Sequence, residues 1–130
     1  MKTLLPPGWP RPKGYANGVS AKGRIVVTAG MVGWNAEEKF ESNNLAGQFR
    51  QVLLNTLAIL AEDGAGPEHI VRMTWYVTDL AEYRFILKDI GASWRELIGK
   101  HYPAMAVVGV TGLVEPRAKI EIETMAVVPE

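Results

Sequence analysis

The chain has 130 residues, 48% of them apolar and 22% charged, with fourteen basic and fourteen acidic side chains that cancel to zero net charge. That profile fits one globular domain over residues 1–130 with a core of its own, and it lacks the basic footprint that a nucleic-acid partner requires. Cysteine is absent, which excludes disulfides, thiolate metal sites and a cysteine nucleophile and fits a cytoplasmic location.

Met1-Lys2-Thr3-Leu4-Leu5 is cut short by Pro6-Pro7 and does not read as a secretory signal. No apolar run approaches the roughly 20 residues of a membrane span, so no membrane partner is expected. Residues 6–14 hold four prolines and two glycines and predict an extended lead-in. Ala21-Lys22-Gly23 is a tight-turn signal between two strand-like runs, Gly18 to Ser20 and Arg24 to Ala29. The second run contains the β-branched Ile25-Val26-Val27-Thr28 and is expected to be a central strand. Residues 33–42 read as a loop.

Leu45, Phe49, Val52, Leu53, Thr56, Leu57 and Leu60 recur at helical spacing and predict the first helix. Asn43 or Asn44 can cap its start, and Gly64 stands where a left-handed residue would end it. A strand is predicted over 70–78. Asp79-Leu80-Ala81-Glu82 is a capping-box pattern for a second helix whose stripe runs Tyr83, Ile86, Leu87, Ile90, Trp94, Leu97 and closes near Gly99. Two strands finish the chain, about 104–111 and 117–127, with a turn at Glu115-Pro116.

The predicted order is ββαβαββ, an α+β two-layer sandwich in which two amphipathic helices cover one face of the sheet. Strict alternation puts Val71, Met73, Trp75 and Val77 on one side of the 70–78 strand and Arg72, Thr74, Tyr76 and Thr78 on the other. The last strand separates Ile120 and Ile122 from Lys119, Glu121 and Glu123 in the same way. One face of the sheet is therefore apolar, while the other is amphiphilic with no helix left to cover it. That face favours pairing with another subunit in a closed homo-oligomer.

Several short segments, in this order and spacing, resemble the RidA (YjgF-type) family of imine/enamine deaminases. They are Lys13-Gly14-Tyr15-Ala16-Asn17, Val27-Thr28-Ala29-Gly30-Met31, Asn55-Thr56-Leu57-Ala58-Ile59-Leu60, Val77-Thr78-Asp79, His101-Tyr102-Pro103-Ala104-Met105 and Lys119-Ile120-Glu121-Ile122-Glu123. The resemblance implies a chorismate-mutase-like fold, a homotrimer whose sheets form a central barrel, and ligand clefts between subunits. It places the catalytic carboxylate, which holds the hydrolytic water, at Glu121, with Tyr15 and Gly30 lining the cleft. Where the family carries an arginine that grips the substrate carboxylate, this chain has Met105, and a thioether cannot make that bidentate bond. Where the family has an asparagine in the second helix this chain has Gly91, and Val107 replaces a frequent cysteine.

Arg72 is the candidate replacement cation, and Trp34, in the loop after Gly30, is the aromatic placed to shape a cleft. The implied function is hydrolysis of an imine, enamine or related small metabolite, shifted away from small carboxylate-bearing imines. The alternative is a non-catalytic module of the same fold that binds a metabolite or a partner. An endoribonuclease or translation inhibitor, a reading also attached to the family, has zero net charge against it. His69 and His101 lie in separate segments without metal-ligand spacing, so no metal and no cofactor are expected.

Overall fold

The computed structural model describes residues 1–130. In chain order the elements are β1 (Lys2–Leu4), β2 (Gly18–Ser20), β3 (Arg24–Val27), β4 (Met31–Val32), α1 (Leu45–Ala61), a 3₁₀ turn (Pro67–His69), β5 (Ile70–Val77), α2 (Leu80–Phe85), α3 (Leu87–Leu97), β6 (Ala104–Gly109) and β7 (Ile120–Val128). The main sheet runs β3-β7-β5-β6, with β4 also paired to β7. β5 and β6 are parallel and the pairs with β7 are antiparallel. This is the expected α+β sandwich, with α1 and α3 on one face.

Helix α1 begins where expected: Asn44 accepts from the Gly47 N–H at 2.8 Å, satisfying one orphan donor of the first turn. Gly64 holds φ +74°, a left-handed residue just past the helix. The Asp79 cap forms, with Oδ1 accepting from the Glu82 N–H at 3.0 Å. Glu82 does not return to the cap as a capping box would. Its carboxylate accepts instead from the Leu45 N–H and from Lys119 Nζ, tying α2 to the start of α1 and to β7.

Four further expectations are corrected. The runs 18–20 and 24–29 do not form a hairpin, because β2 pairs with β1 in a separate two-stranded ribbon. Gly23 is held instead against β7: a Cβ there would sit 2.1 Å from the Val128 carbonyl oxygen, which no side chain tolerates. β3 is an edge strand, not a central one, and leaves Ile25 and Val27 64% and 60% exposed. The predicted second helix is two, broken at Ile86 (φ −107°, ψ 24°).

The fourth correction concerns Val71. The pairing of β5 with β7 passes from Ile70↔Ala126 to Arg72↔Met125, so Val71 is an extra residue in a β-bulge. The bulge lets both Ile70 and Met73 face the helices, and both are fully buried while Val71 is only half-buried. Beyond it alternation resumes: Met73, Trp75, Val77, Ile120 and Ile122 join Leu45, Phe49, Val52, Leu53 and Leu60 of α1 in one core. Trp75 is its centre, with ring centroids 4.9 Å from Phe49 and 6.0 Å from Trp94.

Candidate functional site

The sequence-derived site residues fall into two groups on opposite faces of the sheet. The first is Gly30 with Glu121. The pairing of β7 changes from Val27↔Met125 to Met31↔Ile122, a shift of one residue that leaves one extra position between β3 and β4. Thr28 keeps the ladder alive across this irregularity, its N–H donating to the Thr124 carbonyl at 2.9 Å and its Oγ1 accepting from the Thr124 N–H at 3.2 Å. The bulge sets Gly30 against the Glu121 carboxylate, where a Cβ would lie 2.3 Å from Oε2. Glycine is required here for close approach rather than for an unusual dihedral.

Glu121 is opposite Tyr76 in the register, which places it on the face without helices. Tyr76 donates to Glu123 Oε1 at 2.7 Å. That hydrogen bond to a carboxylate raises the Tyr76 phenol above its ordinary value, and the nearby charges of Glu123 and Glu121 add to the shift. Arg72 lies on this same face, beside Thr74 and Glu123 in a shallow depression of about 270 Å³.

The second group is Tyr15 with Met105, on the helix side. Met105 is in register with Met73 and Val107 with Trp75, so both point toward the core face. The lead-in passes along the free edge of β6, where the Ala16 N–H donates to the Pro103 carbonyl at 2.9 Å and Ala16 bridges Ala104. This brings Lys13, Gly14 and Tyr15 to a cavity of about 480 Å³ that Met105 and Val107 also line. Its far wall comes from α2 and α3, including Tyr83, Leu87, Gly91, Trp94 and Arg95. Trp94 stacks on Tyr102 (6.3 Å, 13° between planes) and its indole N–H donates to the His101 carbonyl at 3.1 Å, which fixes that wall. Burial raises the Tyr83 phenol above its usual value.

Two expected residues stand apart from this cavity. Arg72 points away from Met105, because neighbouring strand positions alternate faces, and cannot replace an arginine at 105 within one protomer. Trp34 packs on Phe40 at 5.9 Å, and its carbonyl, with that of Val32, accepts from the Asn55 side chain. Neither histidine belongs to a metal-binding cluster, and no group of three or more His, Asp or Glu residues converges to hold an ion. Sequence reasoning missed Lys13, Tyr83 and Arg95. The available signal was that Arg95 follows Gly91 by four residues, one helical turn.

A β-bulged sheet with two helices on one face, a free edge strand carrying a lead-in, and an invading glycine beside a strand carboxylate define a small α+β protein class. The sequence model of the Endoribonuclease L-PSP family matches residues 10–128. A RutC family protein from Aquifex aeolicus is 31% identical over 128 residues, covering 98% of this chain and 99% of that one. The 2-iminobutanoate/2-iminopropanoate deaminase of Escherichia coli K12 is 31% identical over 116 residues, 87% of this chain and 86% of that enzyme. Among solved structures, a protein of unknown function of the conserved Rid family from Yersinia pestis, YyfB, matches with TM-score 0.83 at 31% identity over 98% of both chains. The chain belongs to the RidA/YjgF (Endoribonuclease L-PSP) family.

Proposed function

We propose that this protein hydrolyses an imine or enamine in clefts between copies of itself, one copy supplying Tyr15 and Met105 and its neighbour Gly30 and Glu121. The observation that carries the reading is the separation of the two groups. The helix-side cavity is roomy and largely apolar but has no carboxylate in its lining, while Glu121 stands against Gly30 on the other face. Two unlike surfaces meeting make a heterologous contact, which closes into a ring or else grows without limit. The homotrimer implied by the resemblance is such a ring. Exposed Ile25, Val27 and Met125 on the uncovered face supply apolar area for it.

In the proposed reaction, water held by Glu121 adds through oxygen to the imine carbon as its proton passes to the carboxylate. That proton passes from Glu121 to the nitrogen to give the carbinolamine, whose hydroxyl proton then follows by way of Glu121 as the carbon–nitrogen bond breaks, so that ammonia leaves and the ketone remains. Imine and water thus become ketone and ammonia, with no cofactor needed. The named activity of the Escherichia coli relative supports this class of reaction.

The experiment is hydrolysis of 2-imino acids generated in place by an amino-acid oxidase, run beside Glu121→Gln with the assembly checked by light scattering. Turnover that disappears in the variant while the trimer persists supports the proposal. Turnover unaffected by Glu121→Gln sinks the assigned role. A second reading, a non-catalytic binding module, is favoured specifically by Met105 standing where the resemblance places the anchoring arginine. It predicts ligand-dependent thermal stabilisation without turnover. An RNA-directed activity has the zero net charge against it.

A further inference from the structure

The helix-side cavity has a charge character that its strand residues do not explain. Its charged lining residues are Lys13 and Arg95, and no Asp or Glu joins them. Neither cation enters any of the chain's ion pairs, which join Arg24 to Asp63, Arg50 to Glu96, Lys119 to Glu82 and His69 to Glu68. Arg95 also lacks any hydrogen-bonded partner, although its neighbour Glu96 is taken by Arg50 at 2.6 Å.

The guanidinium of Arg95, an exposed side chain, lies over Gly91. A Cβ on Gly91 would fall 3.1 Å from Arg95 Nη1 and 3.7 Å from Cζ. Gly91 therefore makes the room in which the Arg95 head group lies, one helical turn away on the same face of α3. Around it the walls are aromatic and aliphatic: Trp75, Trp94, Tyr102, Leu87, Ile90 and Met105. A free planar cation in the lining of a largely apolar cavity of this size is suited to a small ligand with one anionic group and a bulky apolar body.

We infer that Arg95, seated over Gly91, binds the carboxylate of the ligand in place of a strand arginine at position 105, and that Met105 and the aromatic wall receive a bulky apolar side chain. This deepens the proposed function and rests on it only in taking this cavity as the ligand cleft. The substrate class it names is 2-imino acids with aromatic or branched apolar side chains. The exchange has a simple steric logic: a small residue at 91 admits the helix arginine, and an uncharged residue at 105 leaves space for the substrate's body.

The test is calorimetric binding of three probes to the full chain: phenylpyruvate, pyruvate, and phenylacetone, which keeps the aromatic body but lacks the carboxylate. The native protein should bind phenylpyruvate at least about tenfold tighter than either comparator. Arg95→Gln should weaken phenylpyruvate about 10- to 100-fold, the worth of a charge-assisted hydrogen bond, and leave phenylacetone unchanged. Gly91→Asn, which displaces the guanidinium without removing it, should reproduce the loss in part; an unchanged melting temperature in both variants excludes misfolding. Phenylpyruvate binding indifferent to Arg95→Gln, pyruvate bound as tightly as phenylpyruvate, or no binding of any probe would each overturn the inference. Turnover of 2-iminobutanoate by a protein that binds no phenylpyruvate would defeat this inference and leave the hydrolase reading standing. Arg95-dependent binding without turnover would do the reverse.

Discussion

The two faces of the main sheet are built from the same strands and yet do different things. On the helix side alternate residues of β7, and of β5 beyond its bulge, are buried, and the core packs around Trp75, whose indole N–H has no hydrogen-bond partner. On the opposite side Tyr76, Glu121, Glu123 and Arg72 stand among Thr74, Val27 and Met125 with no element above them. The first face gives the protomer its stability, and the second holds Glu121, the carboxylate proposed to act on water. Outside the two bulges period-two alternation separates these faces, although the packed one also lines the cavity at Met105 and Trp75, and a substitution on one face should leave the other nearly untouched.

The largest expected effect follows from the packed face. Trp75→Ala should destabilise the fold by about 3–5 kcal/mol, since it opens a cavity between Phe49 and Trp94 that the surrounding helices cannot fill. Denaturant unfolding measures this directly. On the other face Val27→Asp should leave secondary structure intact and shift light-scattering mass from the proposed trimer toward monomer. A variant that lost helical circular dichroism instead would show that the faces are not independent.

Glu121→Gln should lower imine turnover by about 100-fold or more, within the usual range for a general acid–base group, at unchanged melting temperature. Gly30→Ala should also reduce turnover, by about tenfold, because the new methyl must push the Glu121 carboxylate from its place. An equal loss of stability in that variant would mean that Gly30 serves the bulge rather than the carboxylate.

The smallest effect is expected at high pH. Burial raises Tyr83 above its ordinary value of 10.0, so the folded protein holds this proton more tightly than the unfolded chain. Stability from this source is intact below that value and falls as pH climbs through the folded one. Tyr83→Phe should therefore flatten the alkaline limb of the stability curve relative to the native protein.

Much of this architecture was legible in the sequence. The apolar stripe of α1, Asn44 at its start, Gly64 beyond its end, and the alternation around Trp75 and Ile122 are local patterns with local causes. So was the list of family-like segments that includes Tyr15, Gly30 and Glu121. The corrections arise at non-local pairings. Nothing near Gly18–Ser20 says that its partner is Lys2–Leu4 rather than Arg24–Val27, and β3 is an edge only because no further strand joins it.

The bulges mark the same boundary. One inserted residue at Val71 moved Ile70 onto the core face, and one near Gly30 set that glycine against Glu121, neither of which strict alternation can foresee. The composition, the helix periodicities and the strand faces were determined by the sequence itself, because side-chain direction repeats with the backbone every two or 3.6 residues. Only tertiary structure decided that Met105 and Arg72 point to opposite faces of the sheet around one strand pair. It also brought Arg95 from a helix to the Met105 cavity, because proximity between segments is set by how they pack and not by their separation along the chain.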